Sequence, residues 1–285
     1  MLSDQRIAVL GAGNMGGALI RGLLRTGAVQ PDQIRATTRT PQSAESVAKH
    51  FGIKATAGGN LEVCEWSTVI LVGVKPLMVS TVLDQIRWAL SENRPLISLA
   101  AAFPMSLVEQ SAGRRVPVFR AVPNTPVAVG EGATAIAHNG LVKPEQIALV
   151  EAIFRSVGRV CFVAEDHLDA ATALSGSGPA FVFTVIEAMM AGGLKAGLPR
   201  DAARRLAEQT VLGAAKMVRD SGHHPAVLRD QVITPGGTTI AGLYELERLG
   251  LRAALMSAVE AAALQSRDMT GHIVEQARLQ NDGQG

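Results

Sequence analysis

The chain is poor in the residues that advertise several common chemistries. Of its 285 residues only 4% are aromatic and two are cysteines. Cys64 and Cys161 are too few for a disulfide framework or a four-thiolate zinc site. Set in apolar, strand-like surroundings, both read as small core residues in a reducing compartment. The single tyrosine, Tyr244, is followed four positions later by Arg248, so the Tyr-x-x-x-Lys pair of short-chain dehydrogenases is missing. Histidines at 50, 138, 167, 223, 224 and 272 form no H-E-x-x-H and stand in no Cys/His cluster, which leaves metal catalysis without support. The formal net charge of +2 is too small for the basic stripe of a nucleic-acid binder, and a small-molecule partner is expected instead. No uncharged run is as long as the roughly 18 residues a membrane span needs. The start, Met1-Leu2-Ser3-Asp4-Gln5-Arg6, lacks the basic opening and long apolar stretch of a secretory signal, so the cytoplasm is the expected location.

What the chain does have is 47% hydrophobic residues and 29 glycines, over a length that suits two domains at about 100 to 200 residues each. The first half alternates β-branched runs with helical periodicity. Strands are expected at Ile7 to Leu10, Ile34 to Thr38, Val69 to Val74, Leu96 to Ala100, Val118 to Val122, Ala133 to Ala137 and Val160 to Ala164, with a helix starting near Pro144. Such alternation implies an α/β, Rossmann-like domain with a mostly parallel sheet and helices on both faces. From about Asp166 the strand signals stop and long Ala/Leu/Met/Val-rich stretches follow. The expected division is therefore 1–165, dinucleotide-binding, and 166–285, all-α. Residues 1–165 hold 16 basic and 12 acidic side chains and the remainder 11 and 13, so the positive first half should hold any phosphate ligand.

The stretch from Pro179 to Lys195 is apolar almost all round, with Glu187 its only charge before Lys195, and must be covered on every side. Small residues at Gly192, Gly193, Ala214, Ala215, Ala253, Ala254 and Ala261 to Ala263 favour close helix packing between subunits, which makes the second half a dimerisation domain of an obligate dimer. A self-contained bundle is the competing reading of the same periodicity.

Gly11-Ala12-Gly13-Asn14-Met15-Gly16 follows a strand and opens an amphipathic helix. Gly11 permits the tight turn, Gly13 lets the backbone approach a pyrophosphate, and Gly16 lets the helix pack close on the strand. The second strand, Ile34 to Thr40, ends without the carboxylate that receives ribose hydroxyls in NAD enzymes. Thr37, Thr38 and the cation of Arg39 suit a 2′-phosphate instead, hence NADP(H); a solvated surface charge is the other reading of Arg39. Val74-Lys75-Pro76 closes a strand at the crevice where open α/β sheets bind ligands, so Lys75 either meets the cofactor or is a surface lysine.

Pro123-Asn124-Thr125-Pro126 fixes a loop and leaves Asn124 as a preorganised amide. Ser175-Gly176-Ser177-Gly178-Pro179 joins the halves, with Ser177 directed toward the cleft between them, or serves only as hinge and helix cap. Thr234-Pro235-Gly236-Gly237-Thr238-Thr239 precedes a helix and offers unpaired N–H donors suited to a carboxylate, with a well-capped helix start as the plainer reading. Glu165-Asp166 stands at the junction, facing substrate or capping the next helix.

Together these segments resemble the pyrroline-5-carboxylate reductase family over nearly the whole chain. The resemblance is carried by Gly11 to Gly16, Val74-Lys75-Pro76, Asn124-Thr125-Pro126, Glu131-Gly132-Ala133-Thr134, Leu174 to Ala180 and Asp230 to Ile240. It implies a cofactor, NADP(H) with NADH accepted at lower efficiency, on Leu10, Gly11, Ala12, Gly13, Asn14, Met15, Thr38, Asn60, Gly73, Val74, Lys75, Pro76, Leu99, Ala100 and Ala101. It implies a substrate, 1-pyrroline-5-carboxylate, near Glu165, Gln231, Thr238 and Thr239, with L-proline as product. It also implies a homodimer, assembled into a decamer in some members. This chain has Thr234 where serine often precedes Pro-Gly-Gly, and Gln231 is one of several residues the family shows at its position; neither departure removes a hydroxyl or amide.

A protonated imine is electrophilic at carbon, so hydride addition needs neither metal nor strong protein acid, and positioning is the main requirement. The expected roles are carboxylate binding by the N–H groups of Gly237 to Thr239 and a hydrogen bond from the Thr239 hydroxyl to the ring nitrogen. Two other readings compete. The β-hydroxyacid dehydrogenases share the two-domain plan, but their catalytic lysine has no counterpart in Gly176 to Met190. A non-catalytic NADPH sensor or scaffold would have no need of the Pro235 to Thr239 loop.

Overall fold

The computed structural model of the chain describes residues 2–113 and 115–282. It begins with β1 (Ile7–Leu10), α1 (Asn14–Arg25), β2 (Ile34–Thr38), α2 (Pro41–Phe51), β3 (Lys54–Ala57), α3 (Asn60–Trp66), β4 (Val69–Val72) and α4 (Val79–Ile86). There follow β5 (Leu96–Ser98), α5 (Met105–Ala112), β6 (Val118–Val122), β7 (Gly132–His138), α6 (Pro144–Arg155), β8 (Gly158–Phe162) and α7 (Leu168–Ala171). A π-helical turn, Thr172–Gly176, leads into α8 (Gly178–Lys195), α9 (Arg200–Ser221), α10 (Pro225–Val232), α11 (Thr238–Arg248) and α12 (Leu251–Asp282).

One sheet holds all eight strands in the order β3-β2-β1-β4-β5-β6-β7-β8. Pairing is parallel from β3 across to β6, antiparallel between β6 and β7, and parallel again between β7 and β8. Because β1, β2, β4, β5 and β6 are all parallel, their carboxyl ends share one edge, and the order of winding reverses between β1 and β4, the place where doubly wound sheets bind ligands. β1 and β4 are buried throughout, as continuous apolar runs covered on both faces must be. On one face Leu19, Ile20 and Leu23 of α1 and Val150, Ile153 and Phe154 of α6 pack on Val9, Leu71, Ile97 and Phe119. On the other, Val82, Leu83 and Ile86 of α4 and Val108 of α5 pack on Ala8, Ile70, Leu96 and Val118. Each such Leu or Ile contributes about 1.5–3 kcal/mol of burial, which fixes the sheet as the rigid support for its edge.

The chain divides into two compact units, 1–177 with 260–285, and 178–259. This differs from the expected border at 165/166. The physical reason lies in the second half of α12. Ile273 joins the core that also contains Leu168 and Val116. The Ser266 hydroxyl, in a buried residue, donates to Asp169 Oδ1 at 2.6 Å. Residues 166–177 and the end of the chain therefore pack with the sheet. α12 is helical to Asp282, and 283–285 lie outside the described residues.

In the unit 178–259 only Ala203 and Ala207 are buried among the described residues, while Phe183, Leu206, Leu212, Tyr244, Leu249 and Met256 are exposed. Gly193 lies against Ala203, where an added Cβ would sit 3.2 Å from the alanine methyl. That small-residue contact works inside the chain, between α8 and α9. No core of large apolar side chains forms within this unit among the described residues. The run Glu165–Lys195 is, by length and composition, able to cross a membrane, which the count of uncharged residues had not suggested.

The cysteines separate. Cys64 is buried in α3, and burial pushes its thiol up to about 12. Cys161 corrects the expectation of a core residue: it is exposed on β8, an edge strand with one neighbour. The Ser266–Asp169 bond yields a prediction. Ser266→Ala should lower stability by about 1–3 kcal/mol, because a hydrogen bond to a charged acceptor is lost; urea denaturation of wild type and variant checks it, and equal midpoints would mean the contact does not anchor α12.

Candidate functional site

At the carboxyl edge of the sheet, backbone meets backbone. Gly11 N–H and Ala12 N–H both donate to Thr37 O, at 3.1 and 3.0 Å, and Gly73 N–H donates to Leu10 O at 2.7 Å. Gly11 has φ +90°, and a Cβ there would meet Val74 Cγ1 at 2.5 Å. A Cβ at Gly16 or at Gly73 would meet Gly11 O, at 2.6 and 2.9 Å respectively. At Gly13 nothing stands within 4 Å of the missing Cβ, so that side is open to a ligand.

The first turn of α1 has no side-chain cap and no acidic residue. Among the described residues nothing accepts from the N–H groups of Asn14, Met15 and Gly16. A helix start of this kind, with its dipole, is an anion site. A groove of about 700 Å³ runs from Gly13 and Asn14 along α1 and α2, past Arg21, Gln42, Ser43 and Phe51. These residues suit a dinucleotide: an open glycine backbone for the pyrophosphate, and Thr38 and exposed Arg39 at the end of β2 for a phosphorylated ribose.

The other expected cofactor residues share the same edge. Gly73, Val74, Lys75 and Pro76 follow β4, with Lys75 exposed, and Leu99, Ala100 and Ala101 follow β5. Ala102, next in the chain, is buried with φ +61°, a strained conformation for alanine. Asn60 opens α3 just beyond the end of β3, and its side chain donates to Gln85 Oε1 at 2.6 Å. Asn124 follows β6 and is buried. Its Oδ1 accepts from Ala133 N–H at 2.8 Å and its Nδ2 donates to Ser175 O at 2.9 Å. Its side chain thus ties the π-helical turn, and with it half-buried Ser177, to the sheet edge.

Glu165 caps no helix of its own. Its Oε1 accepts from Met105 N–H at the start of α5, at 2.6 Å, and from Arg120 Nη1, also at 2.6 Å. Sequence reasoning missed Arg120. The available signal was a lone charge within the apolar strand Val118-Phe119-Arg120-Ala121-Val122.

In the helical unit, α11 starts at Thr238 after a turn in which Gly236 has φ +69°. Gly237 N–H is already taken by Thr234 O at 3.0 Å, and a Cβ on Gly237 would collide with Thr234 Oγ1. The open donors are therefore at Thr238 and Thr239, whose N–H groups meet no acceptor among the described residues; the first turn carries no acidic side chain. Thr239 is half-buried and Gln231, near the end of α10, is exposed. Among the described residues no three His, Cys, Asp or Glu side chains gather as metal ligands.

A sheet with an open glycine turn and a helical unit with a bare helix start define a dinucleotide-dependent oxidoreductase of the Rossmann-plus-helical kind. Residues 165–269 match the profile of the pyrroline-5-carboxylate reductase dimerisation family, and residues 6–102 that of the NADP oxidoreductase, coenzyme F420-dependent family. Pyrroline-5-carboxylate reductase of Arabidopsis thaliana is 40% identical over 265 residues, covering 93% of this chain and 95% of that protein. The enzyme of that name from Escherichia coli K12 is 38% identical, covering 90% and 95%. Among solved structures, a pyrroline-5-carboxylate reductase from Coxiella burnetii superposes with a TM-score of 0.85 at 34% identity, covering 93% of this chain and 98% of that one. Pyrroline carboxylate reductase of Plasmodium falciparum with NADP bound gives 0.84 at 31%, covering 94% and 99%. The chain belongs to the pyrroline-5-carboxylate reductase family.

The 2′-phosphate argument predicts that Arg39→Asp lowers the ratio of NADPH to NADH affinity by about tenfold or more, the size of one lost charged hydrogen bond plus repulsion. Fluorescence titration with both nucleotides checks this, and an unchanged ratio would clear Arg39 of the role.

Proposed function

We propose that this chain reduces the cyclic imine 1-pyrroline-5-carboxylate to L-proline, the last step of proline biosynthesis, with NADPH as donor and NADH accepted at lower efficiency. The observation that carries the reading is the start of α11. Two adjacent N–H donors, Thr238 and Thr239, open a helix that has no cap and no acid in its first turn. Such a tip takes a small carboxylate. Thr238 and Thr239, with Gly237 shaping the turn, hold the substrate carboxylate, and Gln231, near the end of the preceding helix, contributes its amide to the substrate. The Thr239 hydroxyl hydrogen-bonds the ring nitrogen, and Glu165 faces the substrate from the sheet edge.

The cofactor residues are those of the glycine turn, the ends of β2, β4 and β5, and Asn60, Asn124 and Ser177, the last two through the loop they fix. When bound, the dinucleotide supplies hydride from nicotinamide C4 to the imine carbon. What the chain supplies is position: a near-attack arrangement of carboxylate and ring removes most of the barrier that a freely diffusing pair would meet. A β-hydroxyacid dehydrogenase reading fails for want of a lysine between Gly176 and Met190, and a sensor would leave the α11 start without purpose.

The same reading makes the working protein a homodimer. Its support is the helical unit, in which α8 has no buried residue and large apolar side chains on every other helix stand exposed, together with the match of 165–269 to a dimerisation family. A second copy gives the apolar run Glu165–Lys195 a protein surface rather than a lipid one. Cytoplasmic location is part of the proposal and is supported by two free cysteines.

NADPH oxidation with pyrroline-5-carboxylate, run beside NADH and beside a 3-hydroxy acid with NADP+, tests the reading. Turnover is expected only with the imine, and faster with NADPH. Thr239→Ala should lower kcat/KM on the order of 10- to 1,000-fold; wild-type kinetics in that variant would remove Thr239 from the mechanism. Sedimentation should give at least twice the chain mass of 29.8 kDa, ten times if the decamer forms, and a monomer at assay concentration would sink the dimer.

A further inference from the structure

Arg120 sits in the middle of β6 among Val118, Phe119, Ala121 and Val122, all buried, and its own side chain is 7% exposed. A guanidinium keeps its charge at every pH a protein survives, so the strand carries a permanent cation in its interior. Such a pair is on average no more stabilising than well-packed apolar residues of similar size. An apolar residue would also continue the pattern of the strand. The charge is therefore poorly explained by stability alone.

Its anionic partner is Glu165, through Oε1 at 2.6 Å. The same oxygen accepts from Met105 N–H at the positive end of α5. Among the described residues, Arg120 Nε has no acceptor and Glu165 Oε2 has no donor. One carboxylate oxygen is held by two donors from two elements, and the other is left over on a side chain that is 38% exposed. Register places this grip at the cofactor edge. Arg120 pairs with Ser98, the last residue of β5, and Met105 opens the helix that follows Leu99 to Ala101.

We propose that Arg120 is a positioning residue for the reduction: it holds Glu165 by one oxygen so that Oε2 stands as counter-charge to the protonated cyclic imine. This rests on the imine-reductase reading and extends it to a residue that touches neither substrate nor cofactor. The iminium cation is the species that accepts hydride, and a fixed carboxylate beside it favours both its binding and its protonated form. Arg120 acts only through Glu165, which distinguishes it from a contact residue and from a plain core residue.

Steady-state kinetics of Arg120→Met, Arg120→Lys, Glu165→Gln and the double variant Arg120→Met/Glu165→Gln test the proposal, with NADPH affinity measured by fluorescence and folding by thermal melting. Arg120→Met should raise KM for pyrroline-5-carboxylate on the order of 10- to 100-fold, as displacement of a reacting group by about an ångström does, with NADPH affinity within twofold of wild type. Arg120→Lys, which keeps the cation but loses the fork, should recover part of the loss. The double variant should be no worse than Glu165→Gln alone. Unchanged KM in Arg120→Met, losses that multiply in the double variant, or a parallel fall in NADPH affinity would overturn the proposal. Should Arg120→Met not fold, Arg120→Gln/Glu165→Gln, which leaves neither charge, is compared with Glu165→Gln: equal KM is expected, and a further rise would overturn the proposal. Wild-type turnover separates the two readings: if it is absent, the imine-reductase reading falls and this proposal with it; if it is present and KM does not respond, this proposal alone falls.

Discussion

Where β1 turns into α1, the carbonyl of Gly11 comes so near Gly16 and Gly73 that neither position has room for a Cβ. The sheet half of the chain is organised around that approach. It lets α1 descend directly onto the carboxyl end of β1, and it presses the start of β4's exit loop against the same turn. The helix therefore begins in the plane of the strand ends, with its first amides pointing outward. A methyl at Gly16 would push α1 off the strand end and displace its uncapped first turn, and one at Gly73 would force the exit loop of β4 away from Gly11. The electrostatic property of the site, an uncompensated helix start, is in this sense a consequence of steric permission.

The helical unit obeys the opposite constraint. Within 178–259 the tight glycine contacts are Gly193 against Ala203 and Gly237 against Thr234, while many large apolar side chains are exposed. Backbone ordering costs about 1–2 kcal/mol per residue and needs apolar burial to offset it, and this unit buries little of its apolar surface within one chain. The last helix mediates between the two regimes. Its first turns belong to the helical unit, and its later turns are fastened to the sheet unit by Ser266, Thr270 and Ile273.

Much of this was legible in the residue pattern, for physical reasons. β1, β2 and β6 are rich in β-branched residues and fully or mostly buried, so their ends could be read within a residue. β3 was missed because Lys54-Ala55-Thr56-Ala57 is an edge strand, largely polar or small and without the apolar alternation that marks a half-buried one. The π-helical turn at 172–176 has no periodic signature of its own. The compact units divide elsewhere than at 165/166 because the sequence shows where strands stop, not where a distant helix returns. Glycine turns are legible for the reason they function: few other arrangements need that spacing. Arg120 was not, since a strand pattern treats an isolated charge as noise, whereas in the fold it is the fixed point of a carboxylate.

Polar residues in loops near a sheet edge attract functional readings, and the structure shows how they divide the labour. Asn124 spends both ends of its amide on Ala133 and Ser175, and Arg120 spends its charge on Glu165. Neither leaves much for a ligand, yet each fixes a group that does have capacity to spare: the serine-glycine turn in the first case, a carboxylate oxygen in the second. π-helical turns are tolerated mostly where function requires a displaced backbone, and here the displaced segment is the one that Asn124 pins. Preorganisation of a binding edge depends on such outer residues, because a group that is free to rotate gives back in entropy what it gains in contact. The ligand-facing surface can then consist of little more than backbone amides, which is what the start of α1 presents.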